Sequence, residues 1–279
     1  MINLNGSILP KTQPLFHSGN RAFLYGDQIF ETLYFKNGKL LFWEDHYFRM
    51  MGGACMLRME IPQHLNIEFL ENEIIKTIKA SNCLEFSSRV RFSLFRTDGG
   101  FYLPTNQSLE YLIEVDELLE KSLCLNEKGL VIDVFHDHFK PRQTLSNLKG
   151  GNSLISVLSS IFANENDLDE AIILNSESNI CETTASNIFI VMDKHLITPP
   201  ISSGCVNGIL RKQIIENASL WGYTIEEKNI KSFELIKADE VFLTNSVKWI
   251  QWVGSYKKRS YTNHISSDLF KKLQNLISD

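Results

Sequence analysis

The sequence predicts a chain of mixed α and β structure in two domains, a smaller α+β first half and a larger α/β second half. Three observations carry this. At 279 residues with 43% hydrophobic content, the chain can bury one large core or two of moderate size. Segments that alternate with a β period are interspersed with amphipathic helical segments along the whole length. Residues 116–128, rich in Glu, Leu and Lys, break the pattern, which places an N-terminal domain at 1–115, a connection at 116–128 and a C-terminal domain at 129–279.

Residues 29–35 and 40–43 read as the strands of a hairpin, with Asn37-Gly38 supplying the turn. Asp45 is the expected cap of a helix running through His46, Phe48, Arg49, Met50 and Cys55. A second amphipathic helix is expected over 66–81. Strands follow at 89–95 and 109–115, with Gly99-Gly100 in the turn region between them. In the second half, 130–135 is a strand, and the loop around Lys149 leads into a helix over 153–163. Strands at 170–174 and 187–191, a helix at 208–221, a strand at 238–244 and a terminal helix from Ser266 complete the reading. Lys257-Lys258-Arg259 reads as the solvated tip of a hairpin within 252–262.

A net charge of −5 gives no global basic field, so neither nucleic acid nor an anionic membrane is an expected partner. A small anionic ligand needs only a local pocket. The five cysteines are scattered and lack any C-x-x-C pair, which reads as reduced cytosolic thiols. No basic segment followed by a long apolar core opens the chain, and no run reaches the length of a membrane span, so a soluble, cytoplasmic protein is expected. His136 and His138 alternate at a strand end without a further convincing His/Cys/Asp set, and are expected to be structural rather than metal ligands.

The chemistry concentrates in two segments. Lys149 stands in Leu148-Lys-Gly-Gly-Asn-Ser, and Glu182 opens Glu182-Thr-Thr-Ala-Ser-Asn-Ile-Phe. A lysine displayed beside glycines can form a Schiff base with an aldehyde cofactor, and a carboxylate can pair with a protonated ring nitrogen. That combination points to pyridoxal-phosphate chemistry. Thr198-Pro-Pro-Ile-Ser-Ser-Gly-Cys-Val-Asn-Gly-Ile-Leu-Arg delivers a Gly- and Ser-rich turn into a helix, whose first N–H groups at Gly208 and Ile209 suit a phosphate dianion. Thr244, Asn245 and Ser246, at the end of a strand, offer hydroxyls and main-chain donors to the same group.

Tyr25-Gly-Asp-Gln-Ile-Phe-Glu-Thr, followed by His46-Tyr-Phe-Arg49, makes the resemblance specific. With Lys149 and the Glu182-x-x-x-Ser-Asn-Ile-Phe run, it is similar to the class IV, or fold type IV, pyridoxal-phosphate enzymes. These include branched-chain and D-amino-acid aminotransferases and aminodeoxychorismate lyases. The resemblance spans nearly the whole chain in the family's order. It implies two domains, the second with a β-barrel-like core and flanking helices, and a homodimer acting on a small-molecule substrate. It also implies that Arg49 reaches the cofactor phosphate, a contact suited to a guanidinium, and that Lys149 serves as both Schiff-base amine and proton carrier.

Lys149-Gly-Gly-Asn152 resembles the K-x-x-N spacing of the lyases and the D-amino-acid aminotransferases, and departs from branched-chain enzymes, which place the asparagine one position later. The D-amino-acid enzymes carry an Arg-x-His pair that is missing from Arg96-Thr-Asp-Gly-Gly-Phe-Tyr102. This run is more similar to the lyases, and would let Arg96 and Tyr102 orient a substrate, although a plain hairpin turn accounts for it equally. Thr244-Asn-Ser is also closer to the lyases. The implied activity is that of a 4-amino-4-deoxychorismate lyase, releasing pyruvate and 4-aminobenzoate for folate synthesis. The alternatives are a class IV aminotransferase using branched-chain or D-amino acids with 2-oxoglutarate, and a non-catalytic cofactor-binding homologue.

Overall fold

The computed structural model describes residues 1–118 and 123–277. The chain divides into two compact units, Met1–Ser122 with Lys149–Asn152, and Leu123–Leu148 with Ser153–Asp279. Residues 119–122 of the expected connection lie outside the described residues.

The first unit contains β1 (Ile2–Leu4), β2 (Ser7–Leu9), α1 (Arg21–Tyr25), β3 (Gln28–Lys36), β4 (Lys39–Leu40), α2 (Trp43–Met56), α3 (Ile67–Ala80), β5 (Ser88–Arg96) and β6 (Leu109–Glu117). Its strands form one antiparallel sheet in the order β2-β1-β6-β5-β3-β4. Asn37 and Gly38 take φ values of 50° and 80°, the left-handed pair that a tight hairpin turn requires.

The hairpin's second strand is shorter than expected, and Trp43 belongs to the helix. Phe42, at φ 54°, breaks the strand and caps α2, so Asp45 lies in the first turn rather than at the cap. Its carboxylate still complements the helix dipole there. Asn66 caps α3 through its side chain, which accepts from the Phe69 N–H.

Alternation along β3 sends Ile29, Leu33 and Phe35 into the core, where they meet Val90, Phe92 and Leu94 of β5 and Met50 and Ala54 of α2. Each such large side chain contributes about 1.5–3 kcal/mol on burial. Glu31 occupies the same inward row and is 1% exposed. Phe30 and Thr32 lie on the opposite face.

Because β4 pairs only with Phe35 and Lys36, the start of β3 has an open edge. The lysine segment fills it. The Phe30 N–H donates to the Lys149 carbonyl at 2.8 Å, and the Gly151 N–H donates to the Gln28 carbonyl at 3.1 Å. A Cβ on Gly151 would stand 2.7 Å from the Gln28 side chain, so glycine permits this approach.

The second unit contains β7 (Leu130–Lys140), α4 (Leu154–Glu165), β8 (Glu170–Asn175), β9 (Ile180–Thr183), β10 (Asn187–Met192), β11 (His195–Thr198), α5 (Ile209–Asn217), β12 (Thr224–Glu227), β13 (Glu240–Asn245), β14 (Trp249–Tyr256), β15 (Arg259–Ser260) and α6 (His264–Leu276). The sheet order is β12-β11-β10-β13-β14-β7-β8-β9, with β15 paired to β14. A turn of three residues joins β9 to β10, closed by the Thr183 N–H on the Ser186 carbonyl at 2.8 Å. Since four strands separate β9 from β10 in the sheet order, the sheet must curl to bring them together. The result is a barrel-like core filled by Ile132, Val134, Ile172, Ile188, Val241 and Leu243.

β7 runs to Lys140, beyond the strand end expected at residue 135, with a register shift between Phe135 and Lys140. α5 ends at Asn217 rather than near 221. The basic tip at Lys257, φ 53°, links β14 to β15. His136 and His138 are exposed. Among the described residues, no helix is long and apolar enough to cross a membrane.

Candidate active site

Glu31 anchors a buried ion cluster in the first unit. Arg49, on the α2 face turned toward the sheet, donates from Nε to Oε1 at 2.7 Å and from Nη2 to Oε2 at 2.5 Å. Nδ1–H of His46, one helical turn earlier, donates to Oε2 at 2.7 Å. Burial alone would raise the Glu31 carboxyl, but the Arg49 guanidinium and His46 outweigh it and hold its pKa at about 2. Burial, followed in smaller measure by the cations Arg49 and Lys149, pushes His46 below its ordinary value despite Glu31's opposing pull.

Lys149 lies on the opposite side of β3 from Glu31, with Nζ 4.6 Å from the centre of the Phe30 ring. The Arg91 guanidinium stands 3.8 Å from the same ring centre. Phe30 therefore carries two cations, a geometry favoured by the ring's negative faces. Three residues beyond Lys149, the Asn152 side-chain oxygen lies only 2.4 Å from where a Cβ on Gly26 would stand, and Gly26 itself has φ 64°. Only glycine leaves room for Asn152 at this point of the Tyr25-Gly-Asp run.

Arg96 is 5% exposed and engaged throughout. Its Nε donates to Asp27 Oδ2 at 2.8 Å, Nη2 to the Leu57 carbonyl at 2.6 Å, and Nη1 to Gln107. Arg21 Nε reaches the same Asp27 oxygen at 2.9 Å, and its Nη1 holds the carbonyls of Gly99 and Phe101 at 3.0 and 2.5 Å. The two arginines thus lock the loop after β5. Arg96 positions this loop with the donors that would otherwise meet a substrate. Tyr102, at 90% exposure, points outward beside Tyr25.

In the second unit, Glu182 has a protein donor on each oxygen. Lys140 Nζ lies 2.5 Å from Oε1, and the Val206 N–H donates to Oε2 at 2.9 Å. Asn147, two residues before the lysine, donates to the carbonyls of Ile201 and Cys205 at 2.9 and 2.7 Å, steadying the loop that carries Val206.

The phosphate candidates fall into two groups. Gly208 is the N-cap of α5, with no side-chain capping bond, so the first N–H groups of Ile209 and its neighbours receive no cap from it. A Cβ on Gly208 would lie 1.9 Å from Asn187 Oδ1, and Asn187 pairs across the sheet with Thr244. The Thr244 hydroxyl is buried and has no hydrogen-bond partner. Asn245 instead spends its side chain on the turn: Oδ1 accepts from the N–H groups of Val247 and Lys248, and Nδ2 donates to Ser186. Ser246 is half-buried in that turn.

Glu31, Phe30, Arg91, Lys140 and Asn187 are parts of these clusters that sequence reasoning left without a role. Phe30, Glu31 and Asn187 stand in the family-like runs of the sequence, and Glu31 gave a second signal through its period with Ile29 and Leu33. Lys140 gave none, because the expected strand stopped at residue 135 and a lysine beyond it reads as solvated.

The profile of the amino-transferase class IV family matches residues 28–256. An aminodeoxychorismate lyase from Vibrio harveyi is 28% identical over 250 residues, covering 88% of each chain. A candidate branched-chain-amino-acid aminotransferase from Methanocaldococcus jannaschii is also 28% identical, covering 100% of this chain and 95% of the relative. Among solved structures, the branched-chain amino acid aminotransferase from Thermobaculum terrenum, in its PLP-form, superimposes with a TM-score of 0.86 at 21% identity, over 99% of this chain and 93% of that one. The two-unit architecture with its curled second sheet is the fold type IV architecture of such enzymes, and the chain belongs to the amino-transferase class IV family.

Proposed function

We propose that this enzyme is a pyridoxal-phosphate-dependent 4-amino-4-deoxychorismate lyase. The observation that carries the reading is the seat of Asn152 against Gly26. It places the asparagine of the lysine-to-asparagine spacing beside the Tyr25-Gly-Asp run, and that spacing resembles the lyases rather than the branched-chain enzymes. The similarity to the Vibrio harveyi lyase over 88% of each chain supports it.

The residues fit the cofactor. The unpartnered Thr244 hydroxyl, the uncapped start of α5 and the close approach of Gly208 to Asn187 suit a phosphate, to which the family resemblance alone assigns Arg49 as guanidinium. Asn245 and Ser246 shape the turn beside Thr244. When bound, the cofactor supplies an aldehyde for the amine and a ring that accepts electron density.

Lys149 would hold the cofactor through its aldehyde and give way to the substrate amine. Its freed amine then removes the proton from the aminated ring carbon of the substrate. The bond from the substrate ring to the enolpyruvyl oxygen breaks, and aromatisation drives the departure. A proton returned by Lys149 or by water converts the leaving enolpyruvate to pyruvate, leaving 4-aminobenzoate. Glu182 would pair with the cofactor's ring nitrogen and favour its protonated form. Arg91, which shares the Phe30 ring with Lys149 and lies 3.8 Å from Glu114, is our candidate to meet a substrate carboxylate, a role that the closer engagement of Arg96 with Asp27, Leu57 and Gln107 disfavours.

A second copy of the chain is proposed as partner. Phe23, Phe101, Tyr102 and Leu103 are each more than 80% exposed, a concentration of apolar surface that suits an interface. The scattered free thiols support a cytoplasmic setting.

A second reading rests on the aminotransferase relatives: transamination of branched-chain or D-amino acids with 2-oxoglutarate. The test supplies purified holoenzyme with 4-amino-4-deoxychorismate and no amino acceptor. Equimolar 4-aminobenzoate and pyruvate are expected. Glutamate formation from amino acids and 2-oxoglutarate, with no 4-aminobenzoate, would favour the second reading.

A further inference from the structure

Glu182 is not a bare carboxylate. Lys140 and the Val206 N–H each occupy one of its oxygens, and both ion-pair side chains are largely shielded, at 15% and 11% exposure. Lys140 is held firmly enough to matter. Its backbone pairs with Asn175 after the β7 register shift, and its carbonyl accepts from the Ser176 N–H at 3.1 Å. Asn175 is itself tied to the Ser203 carbonyl at 3.0 Å. Val206 is pinned from its other side, its carbonyl accepting from Asn187 Nδ2 at 2.8 Å.

Each carboxylate oxygen has roughly two acceptor sites, so two protein donors leave room for a third. A pyridine nitrogen bonding there shares the carboxylate with an ammonium. We propose that Lys140 is a positioning residue for the cofactor's ring nitrogen, holding Glu182 as an ion-paired carboxylate and limiting how strongly it keeps that nitrogen protonated. This rests on the cofactor assignment above, not on the choice of lyase.

A second cation beside the carboxylate opposes a pyridinium and weakens the carboxylate as a base. Burial disfavours the Lys140 charge, but Glu182 outweighs it and raises the pKa of the amine, so Lys140 stays charged. The other groups facing Glu182 are the thiols of Cys181 and Cys205. Burial pushes both up, leaving them neutral. Arg211 of α5 interacts with Cys205, but its Nη2 is bound to the Pro199 carbonyl and to Glu227. A moderated electron sink suits an elimination that aromatisation already drives.

The experiment reconstitutes wild type, Lys140→Met, Lys140→Gln and Lys140→Arg with cofactor labelled by 15N at the ring nitrogen, and follows its chemical shift with pH. The midpoint should rise by about one unit in Lys140→Met and Lys140→Gln, and return toward wild type in Lys140→Arg. Equal midpoints in wild type and the two neutral variants, or a nitrogen protonated across the whole range in all of them, would overturn the proposal. So would equal loss of cofactor binding in all three variants, which marks a purely structural lysine. Wild-type protein that takes up no labelled cofactor would contradict the cofactor assignment itself, and the proposal with it.

Discussion

Glu31 and Arg49 form a two-point carboxylate–guanidinium pair between β3 and α2, with Glu31 set in the same inward row as Ile29 and Leu33. The pair fixes the side chain assigned to the cofactor phosphate before any ligand arrives. Preorganisation of this kind reduces the ordering cost of binding.

Glu31→Gln should therefore weaken both folding and cofactor binding. Removing one partner of a buried pair costs roughly 3–5 kcal/mol, because the remaining charge is left without its counter-ion. Urea unfolding of the apoprotein measures the first effect, and a fluorescence titration with pyridoxal phosphate measures the second. Unchanged stability would show that the guanidinium needs no carboxylate.

Acid should destabilise the protein in two stages. His46 is held below its ordinary value of 6.5, so the unfolded chain takes up a proton first, and stability falls as pH drops below about 6.5. Glu31 is held at about 2 against an ordinary 4.5, so its contribution is present above 4.5 and is lost as pH falls toward 2. Melting temperature against pH should show both limbs, and His46→Gln should lack the upper one. A variant profile parallel to wild type between pH 7 and 5 would contradict this.

The part of this architecture that was legible in the sequence is the part set by near neighbours. Asn37-Gly38 turned the hairpin, and the amphipathic period expected over 66–81 is α3, Ile67–Ala80. What was not legible depended on distant partners. Arg96 looked available for substrate because Asp27, which holds it, lies 69 residues away. Lys140 and Glu182 are 42 residues apart, and only the register shift in β7 brings them together. The short strands β1, β2, β9 and β12, at three or four residues each, are too brief to show a period.

Gly208→Ala should lower cofactor affinity by roughly tenfold, about 1.4 kcal/mol. The new Cβ would stand 1.9 Å from Asn187 Oδ1, displacing the side chain that holds the Val206 carbonyl and with it the loop that reaches Glu182. Adding Asn187→Ser to Gly208→Ala should recover part of the loss. Dissociation constants for the cofactor provide the check, and wild-type affinity in Gly208→Ala would remove Gly208 from the phosphate site.

Arg91→Met and Arg96→Met should fail differently. Loss of Arg91 should raise KM with a smaller change in kcat, as expected for a group that binds substrate and transition state alike. Loss of Arg96 should lower the melting temperature, because Asp27, Gln107 and the Leu57 carbonyl lose a shared donor. Steady-state kinetics beside thermal melts would separate the two. The opposite assignment holds if Arg96→Met melts normally and loses substrate affinity.

The most direct test of the lyase assignment is the state of the cofactor after turnover. Holoenzyme mixed with excess 4-amino-4-deoxychorismate, without any amino acceptor, should make many equivalents of 4-aminobenzoate and return to the yellow absorbance of the Lys149-linked cofactor. A stop after one equivalent, with the yellow band replaced by that of pyridoxamine phosphate, would identify an aminotransferase and contradict the account.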